Sequence, residues 1–191
     1  MAKRILAFLF ILSFLVKSSL AAEPITAKNW PKFAGIEWGS STEVVTKALE
    51  KRGYECGKPI AGKTEKVLVF TGMLAGKKAE GTCGFTQNKL VFLKIFYRTK
   101  MLDSEGEITL DGAEFSLKLI EILVKKYGNP RDISDGKKLG YGWVTADKPL
   151  QMPILLEIKA GESIEVVYLS PAYNKRVVER REQSKKSEED F

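Results

Sequence analysis

The sequence predicts an α+β protein built as tandem helix-plus-antiparallel-strand units, α-βββ-α-βββ, with helices packed on one face of antiparallel sheet and a charged C-terminal tail. Three observations predict it. Two helix-period segments each end at a glycine, each is followed by three strand-period runs, and the two halves superpose at an offset of about 72 residues.

The first helix signal is "SSTEVVTKALEKRG". Ser40 stands three residues before Glu43, a capping-box spacing, and Val44, Val45, Ala48 and Leu49 fall on one stripe. Gly53 supplies a left-handed stop. Strand-like runs follow at 67–71, 82–87 and 90–98, the last two joined across Asn88 and Lys89. A second helix opens at "DGAE", where Asp111 and Glu114 repeat the cap spacing. It carries Phe115, Leu119, Ile120, Leu123, Val124 and Tyr127 to Gly128, and Pro130 forbids its continuation. Strand patterns resume at 139–145, 152–159 and 164–169. In the middle one Met152, Ile154, Leu156 and Ile158 alternate with Leu155, Glu157 and Lys159, the pattern of a sheet wetted on one side. "EVVTKALEKRGY" parallels "LIEILVKKYG", and "NKLVFLKIFYR" parallels "GESIEVVYLS", so the two units are expected to share an edge or a face.

The organisation along the chain follows from composition. Lys3 and Arg4 precede an apolar run, Ile5 to Val16, and "KSSLAAEP" then supplies small residues and a proline. That is the layout of a secretory signal peptide, over residues 1–21, with Sec-type cleavage near Ala21 or Ala22. The run is short for a bilayer span, and no cysteine follows the cut to carry a lipid. The expected location is periplasmic or secreted. An arm over 22–32, a first αβ unit over 33–100, a second over 101–170 and a tail over 171–191 complete the division. The formal charge of +7 includes Lys3, Arg4 and Lys17 from the leader, so much of the basicity is address label, and no dense cationic stripe marks a nucleic-acid binder.

Two cysteines, Cys56 and Cys83, lie in the mature part, and an oxidising compartment is expected to join them as a disulfide. Closing that interval would stabilise by ~3.5 kcal/mol on the chain-entropy account. They are too far apart in sequence to form a CxxC redox pair.

Two motif matches dissolve on inspection. "GKPIAGKT", Gly57 to Thr64, satisfies GxxxxGK[ST], but the residues that follow, "EKVLVF", read as a strand where a phosphate loop needs a helix start. Pro59 also removes one amide, so the segment reads as a solvent loop between strands and no nucleotide is expected. From Asp103, "DSEGEITLDGAE" places Asp103, Glu105, Glu107, Thr109, Asp111 and Glu114 at the ligand positions of a calcium loop, yet Ile108 stands where the sharp turn needs glycine. The plainer reading is an acidic connection whose last two acids cap the second helix.

The chain contains no histidine, which removes Ser-His and Cys-His nucleophile activation and imidazole zinc sites. No GxSxG or SxxK is present, and nothing singles out a catalytic pair from the carboxylates. The expectation is therefore not an enzyme, with no catalytic, cofactor or metal residues to name. Trp38 and Trp143 read as core or sheet-face aromatics, and Trp30 as a pin for the arm. Lys58, Lys63, Lys66, Lys77 and Lys78 read as scattered solvated lysines more than as an acid-seeking patch. In the tail, "NKRVVERREQSKKSEEDF" interleaves acids with bases and carries few apolar residues. It is expected either as an ion-paired helix, with Glu182 and Lys186 at i,i+4, or as disordered chain, and as a solubilising end more than a membrane dock.

"FAGIEWGSSTEVVTKALEKRGY", "FTGMLAGKKAEGTCGFTQNKLVFLKIFY" and "LVKKYGNP" before a tryptophan-bearing strand resemble a broad group of small exported bacterial proteins. Their helix-then-strands units are similar in layout to β-lactamase inhibitor protein and to small lipoproteins of outer-membrane assembly. The resemblance spans about residues 33–170 and implies a non-enzymatic protein that binds another protein, without assigning it a residue. The leading expectation is an exported, soluble protein-binding module whose partner is another envelope protein. The alternatives are a carboxylate-based hydrolase or ligand-binding protein, and a calcium-dependent adaptor.

Overall fold

A computed structural model describes residues 23–62, 65–98, 110–135, 138–148, 151–159 and 163–189. Their elements run α1 (Thr42–Glu50), β1 (Glu55–Cys56), β2 (Ile60–Ala61), β3 (Lys66–Leu74), β4 (Lys77–Thr86), β5 (Lys89–Tyr97), α2 (Leu110–Tyr127), β6 (Arg131–Asp132), β7 (Lys138–Trp143), β8 (Ile154–Lys159), β9 (Ser163–Leu169) and α3 (Pro171–Glu189). Every pairing is antiparallel, and the nine strands form one sheet of order β1-β3-β4-β5-β9-β8-β7-β6, with β2 beside β3 on the same edge as β1. The molecule is therefore α+β. The strands before α2 and those after it meet in this sheet where β5 pairs with β9, from Phe92↔Leu169 to Tyr97↔Ile164.

Alternation along the strands gives the sheet two unlike faces. Leu68 and Phe70 of β3, Ala79, Cys83 and Phe85 of β4, Leu93, Ile95 and Tyr97 of β5, Ile164, Val166 and Tyr168 of β9, and Ile154, Leu156 and Ile158 of β8 point to one face and are buried. That inner face packs in one core with Val45 and Leu49 of α1 and with Phe115, Leu119, Ile120 and Leu123 of α2. The arm before α1 shares this layer. The Phe33 ring lies about 6 Å from the rings of Tyr54, Phe70 and Tyr168, and the Trp30 indole N–H donates to the Leu169 carbonyl at 2.7 Å. Glycine is required where aromatic rings press on the sheet. A Cβ on Gly81 would lie 2.0 Å from Phe70 Cζ, and one on Gly84 2.0 Å from Phe92 Cε1.

Helix starts and turns differ from the sequence expectation in small, explicable ways. The N-cap of α1 is Ser41, one residue after the expected Ser40. Its hydroxyl accepts from the Val44 N–H, and the Ser41 hydrogen bond is the chief reason the Glu43 carboxyl lies below its ordinary range. Ser40 is diverted because residues 39 and 40 pair with Leu90 at the start of β5, Gly39 N–H to Leu90 O and Leu90 N–H to Ser40 O. The β4–β5 turn sits on Gln87 and Asn88, both with positive φ of 51° and 58°, not on Asn88 and Lys89. A further hairpin, β3 to β4, closes on Ala75 and Gly76 at φ 52° and 82°, so both strands run beyond the expected 67–71 and 82–87. The tail is helical through Glu189, with Lys175 and Glu179 3.8 Å apart. The leader, and most of the acidic stretch from Asp103, lie outside the described residues.

Candidate functional site

The outer face of the sheet carries the residues that alternate with the core. Three cross-strand rows define it. Val67, Gly84, Phe92 and Leu169 form the first; Val69, Thr82, Lys94, Val167 and Leu155 the second; Thr71, Glu80, Phe96, Glu165 and Glu157 the third. From β3 to β8 this spans about 19 Å. Val67, Val69, Phe96, Val167 and Leu155 are half-buried, and Met73 at the β3 end is 65% exposed. Among the described residues, neighbouring segments cover its margins. Ile133 and Met152 lie over Gly140 and Gly142 at the β7 side, and Tyr173 of α3 lies against Phe92 with ring centroids 5.6 Å apart.

A bulge aims Phe92. Phe85 pairs with Leu90 but Gly84 pairs with Phe92, so Val91 is an extra residue on β5. That insertion lets Leu90 and Leu93 both reach the core while Phe92 turns outward over Gly84.

Ion pairs join charges on this face. Lys94 Nζ lies 3.2 Å from Glu165 Oε2, Lys138 Nζ donates to Glu157 Oε1 at 2.6 Å, and Arg98 Nη2 lies 3.6 Å from Glu80 Oε2. Glu165 is 7% exposed and stands directly opposite Glu157. Two facing carboxylates are the minimum for acid-base hydrolysis, but one must be set apart as the proton donor. Here each lies against a lysine, Glu165 beside Lys94 and Glu157 beside Lys138. The face presents apolar positions at half exposure, interleaved with charges and the hydroxyls of Thr71 and Thr82, a composition suited to contact with another surface.

The bridge expected between Cys56 and Cys83 is not formed, and both residues carry free thiols. The register explains why. Cys56 on β1 is opposite Phe70 and Cys83 on β4 is opposite Leu68, so β3 stands between them. Two strand spacings, about 9.6 Å, exceed the ~7 Å over which backbones can be bridged. Burial, and secondarily Cys56, push the Cys83 thiol up to about 12, and burial also raises Cys56, which is the more exposed of the two.

The remaining motifs are dispersed. Gly57 to Ala61 is not a free loop: Ile60 and Ala61 form β2 against Val67 and Lys66, and Gly57 N–H donates to Val69 O. Together β1 and β2 make one interrupted edge strand, with Lys58 and Pro59 in its break. Lys63 and Thr64 lie outside the described residues, and the chain then enters β3 at Lys66, a strand where a phosphate loop needs a helix. The four described lysines of that set separate as well. Lys77 stacks over Phe115 at 5.8 Å from the ring centroid, Lys66 acts on Glu43, and Lys78 sits opposite Met73 on the outer face. All three indole N–H groups donate to backbone carbonyls, Trp30 to Leu169, Trp38 to Pro31 and Trp143 to Gly128, so the tryptophans serve the interior and are not open anchors. Sequence reasoning did not find the Lys94–Glu165 and Lys138–Glu157 pairs. The signal available was Glu165 inside the apolar run "SIEVVYL", an outward position in a strand otherwise buried.

No family model matches this chain, and neither the curated proteins nor the solved structures compared with it yield a match. No helix among the described residues is long and apolar enough to cross a membrane.

Proposed function

We propose that this protein is an exported, non-enzymatic binding module of the cell envelope that holds another protein against the outer face of its sheet. The observation that carries the reading is the asymmetry of the two faces. Two helices and the arm bury one side, while Val69, Val167, Leu155 and Phe96 stay half-exposed on the other across five adjacent strands. Half-exposed apolar side chains interleaved with charges and hydroxyls are the mixed composition of a protein-binding surface. Export rests on the leader pattern of residues 1–21. The tandem α-βββ-α-βββ reading belongs to the same proposal, supported by the meeting of β5 with β9, the last long strand on each side of the pairing. Such an arrangement makes one wide surface from two small units.

The test is site-specific photocrosslinking in cells. A photoreactive side chain at Leu155, on the outer face, captures a discrete envelope protein, whereas one at Ile122, on the helix side, does not. Equal capture from both positions, or none from Leu155, contradicts the proposal.

A further inference from the structure

We propose that the first turns of α3 are a displaceable strap that masks one end of the outer face. The inference rests on the reading of that face as the binding surface and adds its regulation. Between Pro171 and Arg180 only Tyr173, Asn174, Val177 and Val178 are buried or half-buried, a stripe two turns long. Its central member is polar. Asn174 is 2% exposed; its Oδ1 accepts from Met152 N–H at 3.3 Å, but its Nδ2 finds no partner among the described residues. A buried amide donor left unpaired opposes docking, because undocking returns it to water. The ring of Tyr173 covers Phe92, which lies in the cross-strand row next to Val69, Thr82, Lys94, Val167 and Leu155. Lifting the strap therefore exposes Phe92 and lengthens the apolar surface without breaking any strand pairing. The hinge is defined too: Ser170 N–H donates to Val91 O and anchors the chain where the strap begins. Docking offers little apolar burial and costs a donor, which places α3 at the low-stability end of the molecule.

Hydrogen exchange on the full chain reads this directly. The amides from Lys175 to Arg180 are expected to exchange about 100-fold or more faster than those of β9, and exchange at the β9 rate overturns the proposal. In a second arm, Tyr173→Ala is expected to raise the emission of the apolar dye anilinonaphthalene sulfonate several-fold while the urea midpoint of the sheet stays in place. Unchanged dye emission counts against the strap. Both readouts are taken without a partner. A rigid α3 alongside successful crosslinking from Leu155 refutes the strap alone, and a mobile α3 with no crosslink refutes the binding reading alone.

Discussion

Phe70 lies over Gly81 and Phe92 over Gly84, one ring on each face of β4, and these close approaches show how single residues shape this sheet. Gly81→Ala would place a methyl inside the Phe70 ring, which is 1% exposed and boxed by Phe33 and Tyr54. The expected cost is about 1–3 kcal/mol of stability, measured as a fall in urea midpoint at unchanged slope. Titration is legible at the same scale. Without histidine, the urea midpoint should be nearly flat between about pH 6 and 8. Above that, the folded state holds the Cys83 proton to about 12 against an ordinary 9.0, and burial raises Tyr97 and Tyr168 in the same direction. The unfolded chain loses these protons first, so it binds fewer of them, and stability falls as pH rises. The contribution is whole below about pH 9 and is lost progressively toward 12. Urea titrations should show the midpoint dropping from about pH 9 upward, and the Cys83→Ala variant should lose the earliest part of that drop. A midpoint unchanged to about pH 11 would contradict the buried thiol.

Among elements, the β4–β5 turn joins two parts of the fold. Asn88 Oδ1 accepts from the Thr42 hydroxyl at 2.7 Å and from the Thr42 N–H at 3.4 Å, so a hairpin turn secures the start of α1. Asn88→Gly keeps the backbone free to hold φ at 58° but removes both acceptor contacts. It should cost about 1 kcal/mol. Gln87, exposed at φ 51°, is the converse case. Gln87→Asn should stabilise by about 0.5 kcal/mol, and thermal melts of the two variants should move in opposite directions. Local pattern carried most of this level. Helix stripes and strand alternation placed α1, α2 and five of the six long strands to within three residues, because burial on one face leaves its period in the sequence, while β4 begins five residues before the expected run. Ser41 displaced Ser40 because Ser40 pairs with Leu90, a contact fifty residues away that no local window contains. The Ala75–Gly76 turn went unread because alanine is an unusual residue at positive φ. The separation of Cys56 from Cys83 depends on β1 and β4 lying on opposite sides of β3, which only the pairing order reveals.

At the scale of the whole molecule, a single sheet joined at β5–β9 has its helices on one side and its candidate binding surface on the other. The wetted face was legible from Glu157 and Lys159 alternating with core residues of β8, but which strands would extend it was not, since that requires knowing that β9 lies between β5 and β8. The most direct test of the account is the affinity of the captured envelope protein for two charge-insertion variants, each checked for an unchanged melting temperature. Val167→Arg, at the centre of the outer face, should weaken binding about 30-fold or more, while Ile122→Arg on α2 should leave it within about 2-fold. Equal affinity for Val167→Arg and the unaltered protein would show that the partner docks elsewhere.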